Sequence, residues 1–135
     1  MTTGDVVEQL YAAIATGDVP QVLALLADDV RWTEAEGFVY GGTYTGGPAV
    51  VENVFARMGA DWEAFEVRRE TTVADGDDVV VRGWYHGTHR ESGRSFRARF
   101  AHWWTVQDER VTAFEQICDT VPVSAALPER VDRSA

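Results

Sequence analysis

A chain of 135 residues has the length of one domain, and 45% hydrophobic with 11% aromatic content is enough to fill a core. The net charge is −10 and every basic residue is arginine. The absence of lysine excludes Schiff-base chemistry and a phosphate-loop lysine, and the acidic balance argues against nucleic acid as a partner. The single cysteine, Cys118, excludes an internal disulfide, and no Cys/His cluster has metal-ligand spacing. No membrane span and no signal-like N-terminus is visible, so a cytoplasmic protein is expected, with no metal and no membrane partner.

Asp5-Val6-Val7-Glu8 has capping-box spacing, with Asp5 as the N-cap. Val7, Leu10, Tyr11 and Ile14 follow at helical spacing, and Gly17 closes this helix. Asp18 caps a short second helix with Pro20 in its first turn and Val19, Val22, Leu23 and Leu26 as its stripe. Val30 to Glu34 reads as a strand in which Val30, Trp32 and Glu34 share a face. Residues 36–47, EGFVYGGTYTGG, hold five glycines and three aromatics and read as a loop at a pocket rim. Pro48 opens a third helix striped by Val51, Val54, Phe55 and Met58.

Strands over Phe65–Ala74 and Val79–Thr88 flank a turn at Asp75-Gly76-Asp77. In the second of them Val79, Val81, Gly83 and Tyr85 fall on the apolar face, while His86 and His89 lie near a solvated end. The segment from Phe96 to Asp119 forms a last hairpin, and from Pro122 onward there is little periodicity. Helices first and consecutive strands later predict an α+β fold, with helices covering one face of a curved sheet. The expected organisation is one domain over residues 1–122 and a C-terminal tail over 123–135.

The last hairpin carries the chemistry. Phe96, Ala98, Phe100, His102, Trp104 and Val106 share one face, apolar but for the histidine. A two-residue turn at Asp108-Glu109 pairs Gln107 with Arg110. Unbroken alternation then sets Trp104 opposite Ala113, His102 opposite Glu115, Phe100 opposite Ile117 and Ala98 opposite Asp119. A one-residue slip would turn Glu115 outward and bring Gln116 in. In the unbroken register the outer face carries Arg97, Arg99, Trp103, Thr105, Phe114 and Gln116, an aromatic and arginine composition that fits an interface core. Cys118 lies on that outer face as a structural thiol.

YAAIATGDVPQVLALLADDVRWTEAEG, YGGTYTGGPAVVENVFARM, GWYHGT and FAHWWTVQDERV, in that order over residues 5–120, resemble the nuclear-transport-factor-2-like superfamily. The nearest branch is the SnoaL-like proteins, which include polyketide cyclases and lie near the ketosteroid isomerases. The resemblance implies a cone-shaped α+β barrel: three helices packed on a curved antiparallel sheet around a mostly apolar pocket, dimerising through the convex sheet face. It puts Glu34 where ketosteroid isomerases carry their aspartate base and His102 near their protonated oxyanion-hole acid. Their first-helix tyrosine is out of register here: Tyr11 lies one position along and Leu10 takes the pocket-facing place. With Glu and His in place of two aspartates, steroid isomerisation itself is not implied.

Burial raises a carboxyl pKa toward working pH, and a carboxylate opposite a histidine favours its protonated form. The expectation is a cofactor-free general acid/base enzyme of isomerase, cyclase or dehydratase type, acting on a small hydrophobic substrate. Glu34 or Glu115 is the base, His102 and Tyr85 polarise the substrate oxygen, and Asp119 stands in reserve. Trp32, Tyr40, Phe55, Met58, Phe100 and Trp104 are candidate ligand-binding walls. The bland reading of His102 and Glu115 is a buried cross-strand pair contributing roughly 0.2–1 kcal/mol, and that of Asp119 is a turn or rim residue. The alternative function is non-catalytic binding of a small hydrophobic molecule by the same fold.

Overall fold

A computed structural model of the protein describes residues 1–129. Helix α1 (Thr3–Thr16) starts upstream of the expected cap, because Asp5 fills the acidic third position of the capping box. The cap is Thr2, whose hydroxyl accepts from the Asp5 N–H at 3.1 Å while the Asp5 carboxylate accepts from the Thr2 N–H at 2.9 Å. Gly17 ends the helix at φ 68°, in the left-handed region open to glycine without strain. Asp18 caps α2 (Val19–Leu25) by accepting from the Gln21 N–H. The short helix buries Val22 and Leu25, not Val19 and Leu23, which are exposed.

Strand β1 (Leu26–Glu34) is followed by β2 (Gly42–Thr45), so the glycine-rich stretch is a loop that closes with a short strand on β1. The third helix is one continuous run: α3 (Gly47–Val50), a π-helical turn (Val51–Phe55) and α4 (Ala56–Asp61). Then come β3 (Trp62–Asp75), β4 (Asp78–His89), β5 (Ser95–Gln107) and β6 (Arg110–Cys118). They form one curved sheet in the order β2-β1-β6-β5-β4-β3. The fold is α+β, but the sheet is mixed: β1 runs parallel to β6, with Trp32 beside Phe114 and Thr33 beside Glu115.

A fourth helix, α5 (Thr120–Ala126), replaces the start of the expected loose tail. Its Val123 and Ala126 are buried, and Ser92 and Arg94 of the β4–β5 connection donate to the Ala126 and Ala125 carbonyls. Periodicity could not show it, since seven residues make roughly two turns. Of the expected tail, residues 130–135 lie outside the described residues. No helix among the described residues is long and apolar enough to cross a membrane.

The hairpin turn is as expected, with Gln107 opposite Arg110 and both Asp108 and Glu109 at positive φ. Two residues later a β-bulge breaks the alternation. Val106 faces Val111 and Thr105 faces Ala113, leaving Thr112 as the extra residue. Everything beyond is flipped: Phe114 and Gln116 are buried, while Glu115 and Ile117 are exposed. Cys118 likewise turns to the inner side, opposite Phe100, where burial pushes its thiol up to about 12. His89, expected in solvent, is buried edge-on against Trp62 at 4.8 Å between ring centres.

The core lies between the helices and the inner sheet face. Gly83 faces Phe100 across β4 and β5, and a Cβ there would lie 2.1 Å from the Arg68 carbonyl oxygen and 2.8 Å from the Phe100 ring. Its bare backbone lets that ring lie flat, stacked on Tyr85 at 4.5 Å and on His102 at 4.1 Å.

Candidate functional site

The polar groups inside the apolar core form a connected chain of hydrogen bonds. β5 supplies His102 and Trp104, β4 supplies Tyr85, β6 supplies Gln116 and α1 supplies Tyr11. The Tyr11 hydroxyl bonds His102 Nδ1 at 2.6 Å, and the Tyr85 hydroxyl makes a short bond to His102 Nε2. Trp104 Nε1–H donates to the Tyr11 oxygen at 3.0 Å, and Gln116 Nε2–H donates to the Tyr85 oxygen at 3.0 Å. Gln116 is itself oriented by the Ala35 N–H, which donates to its Oε1 at 3.0 Å. No carboxylate faces the imidazole. Burial alone drives the His102 pKa down to about 3, so the ring is neutral at physiological pH and not the imidazolium expected from a Glu115 partner.

The buried carboxyl is Glu34, at the end of β1 and 4% exposed. Trp32, two residues earlier on the same face, donates its indole N–H to Glu34 Oε1 at 3.1 Å. Oε2 has no partner, alone among the buried side-chain nitrogen and oxygen atoms of the described residues. Desolvation outweighs the indole hydrogen bond and raises the Glu34 pKa to about 7. Its charge also reaches Tyr85, whose phenol is held well above its ordinary value by burial first and by Glu34 second. Glu34 borders a cleft of about 420 Å³ under the rim loop, shared with Thr33, Glu36, Phe38 and Thr43. Phe38 joins the two regions: it lines the cleft, and its ring centre is 6.4 Å from that of Tyr85.

Tyr85 stands between the two, hydrogen-bonded to His102 and reached by the charge of Glu34, whereas Glu115 and Asp119 lie apart from them. Glu115 is on the opposite face of the sheet, turned there by the bulge. Asp119 is exposed and caps α5, accepting from the Val121 N–H at 3.3 Å. Among the wall candidates, Trp32 stacks on Phe114 at 4.0 Å and meets Phe55 edge-on at 5.5 Å. Trp104 and Phe100 belong to the hydrogen-bonded and stacked cluster, while Met58 and Phe55 are half-buried against the hydrophobic core. Tyr40 is committed elsewhere, donating to Asp61 at 2.7 Å and accepting from the Trp62 indole at 3.1 Å.

Two members of the buried hydrogen-bond chain, Tyr11 and Gln116, are not among the site residues expected from the sequence. Tyr11 points inward together with Leu10, because a helix face wide enough to bury Val6, Val7, Leu10, Tyr11 and Ala13 holds both. Gln116 came in with the bulge. Among the described residues no three His, Cys, Asp or Glu side chains converge as a metal site would require.

Residues 7–114 match the family described as the SnoaL-like domain. Among solved structures, an NTF2-like protein from Burkholderia thailandensis is 36% identical, over 96% of this chain and 99% of its own, with a TM-score of 0.90. TerC, co-crystallised with polyporic acid, is 27% identical over 92% of this chain and 96% of its own, with a TM-score of 0.82. IdmH from Streptomyces antibioticus, a suggested polyketide cyclase, shares the fold at 21% identity, over 93% of this chain and 98% of its own, with a TM-score of 0.80. No curated protein matches the sequence significantly.

Proposed function

Because the chain belongs to the SnoaL-like domain family of the NTF2-like superfamily, we propose that it is a cofactor-free acid/base enzyme of cyclase, isomerase or dehydratase type, acting on a small hydrophobic carbonyl compound. The observation that carries this reading is Glu34: a buried carboxyl raised to about 7, with one oxygen free, at the border of a cleft. A pKa matched to neutral pH serves both halves of a proton shuttle. Near pH 7 the carboxylate takes a proton from an acidified carbon, and the acid returns it at another position. The Tyr85 hydroxyl, held from behind by the neutral His102, meets the substrate oxygen, where charge develops as the proton leaves. Phe38, which lines the cleft and lies 6.4 Å from Tyr85 between ring centres, is the side chain such a substrate would displace to reach that hydroxyl.

The test is hydrogen–deuterium exchange at the α-carbon of aryl ketones and cyclic diketones in D2O, followed by proton NMR. Wild type accelerates exchange and Glu34→Gln, with unchanged circular dichroism, abolishes the acceleration. Exchange by the variant at the wild-type rate would remove Glu34 from the chemistry.

The second reading, a non-catalytic binder of hydrophobic molecules, draws support from TerC and its polyporic acid. Ligand retention without any exchange would favour it. We further propose a homodimer through the outer sheet face. Trp103 and Ile117 are 47% and 51% exposed there, beside the half-buried Val80, Ala101 and Ala113. Phe114, expected at that seam, is buried on the other side, so Ile117 takes its place. Light scattering that finds a dimer for wild type and a monomer for Trp103→Glu supports this; an unchanged dimer places the interface elsewhere.

A further inference from the structure

We infer that His102 is held as its Nε2-protonated neutral tautomer, and that this turns the Tyr85 hydroxyl proton out of the core network toward the oxygen of a ligand beside Glu34. The inference rests on the acid/base reading for its ligand but on hydrogen-bond counting for the tautomer. A neutral imidazole donates once and accepts once. It bonds two tyrosine hydroxyls, Tyr11 at Nδ1 and Tyr85 at Nε2. Each tyrosine oxygen also receives an obligate donor, the Trp104 indole N–H on one side and the Gln116 amide on the other. The Gln116 amide cannot be reversed, because its Oε1 must accept the Ala35 N–H. One tyrosine therefore donates to the imidazole, and the other accepts twice and has its own proton displaced from the network.

The surroundings decide which one. Around Tyr11 stand the Trp104 N–H and the Arg69 guanidinium, 4.5 Å from the ring centre, with the Glu8 carboxylate engaged by that guanidinium. The Arg69 charge makes the Tyr11 phenol a stronger donor, and its oxygen lies 2.6 Å from Nδ1. Around Tyr85 there is an acceptor in need, the Glu34 carboxyl whose Oε2 is unpartnered and whose charge reaches the phenol. The proton of Tyr11 thus goes to Nδ1, Nε2–H donates to Tyr85, and the Tyr85 proton is free.

A free hydroxyl donor and a free carboxyl oxygen whose charge reaches that phenol define a ligand class: a carbonyl oxygen flanked by an acidic C–H or O–H. In the reaction, the Glu34 carboxylate takes the proton from carbon, the C–H electrons form the enolate, and Tyr85 donates a hydrogen bond to the enolate oxygen while keeping its proton. His102 carries no proton to substrate. It is a positioning residue.

Long-range proton–nitrogen correlation of histidine-labelled wild-type protein at neutral pH tests this directly, with assignment by a His102→Gln variant. The expected spectrum shows a neutral His102 with a proton on Nε2 and a bare Nδ1; a protonated Nδ1 or an imidazolium would overturn the inference. In the exchange assay a folded His102→Ala loses about 100-fold and His102→Gln, whose amide can still donate to Tyr85, recovers most of that loss, whereas a folded His102→Gln no better than His102→Ala makes His102 a proton carrier and refutes the positioning role. Exchange absent from wild type, with the Nε2–H tautomer present, counts against the enzyme reading and leaves the tautomer assignment standing.

Discussion

Replacing Tyr11 by phenylalanine tests the interior network with a single oxygen atom. The change keeps the ring under Arg69 and removes the group that pairs both Trp104 Nε1–H and His102 Nδ1. Both partners are buried, at 1% and 5% exposure, so water cannot take over either hydrogen bond. Leaving a buried polar atom unpaired costs about 1–3 kcal/mol, so two such atoms imply a loss of about 4 kcal/mol. Against a typical total of about 5–15 kcal/mol this is a large fraction. Urea unfolding followed by tryptophan fluorescence gives the value, with an unchanged m-value as the check that only stability moved. A Tyr11→Phe and Trp104→Phe double-mutant cycle then isolates the indole–phenol bond, with an expected coupling of about 1–2 kcal/mol. A Tyr11→Phe protein within 1 kcal/mol of wild type would mean that the network is wet or differently connected, and the tautomer argument would fall with it.

Stability should depend on pH in two opposite ways. Folded Glu34 keeps its proton to about 7 against an ordinary 4.5, so the folded state binds more protons in that window and stability falls as pH rises through it, by about 3 kcal/mol. Folded His102 resists protonation down to about 3 against 6.5, so stability also falls as pH drops below 6.5. Urea midpoints at pH 4 and 8 should therefore show Glu34→Gln gaining on wild type as pH rises; parallel curves would contradict the buried carboxyl. Glu115→Gln should leave stability and exchange unchanged, and Asp119→Ala should cost only the roughly 1 kcal/mol of a helix cap, both read by thermal melts and the exchange assay. Gly83→Ala should destabilise by about 3 kcal/mol or more, since its Cβ has no room against the Arg68 carbonyl and the Phe100 ring; a melting temperature equal to wild type would mean that the strands yield there.

What could be read from the chain, and what could not, follows from the range of the forces involved. Local patterns announced the helices, the strands and the two-residue turn at Asp108-Glu109, because capping, periodicity and turn chemistry involve neighbours in sequence. The parallel β1–β6 pairing joins residues some eighty apart and has no local signature. The bulge was faintly visible: Val111 and Phe114 are both large and apolar at a spacing of three, which unbroken alternation cannot bury together. Taking that seriously would have turned Glu115 outward and Gln116 inward. Asp119 followed by Thr120 and Pro122 carries the marks of a cap and first turn, obscured by the brevity of the helix. Glu34 and His102 were legible as polar residues on apolar faces. Their separation into a proton-holding carboxyl and a neutral imidazole was not, because it depends on which groups surround them in space.

The central claim is that Glu34 gains and loses its proton near neutral pH. A carbon-13 titration of the side-chain carboxyls, with Glu34 assigned through Glu34→Gln, measures it. The account predicts a midpoint near 7. A midpoint at the ordinary 4.5 would mean a solvated carboxylate, and the acid/base reading would lose its proton carrier.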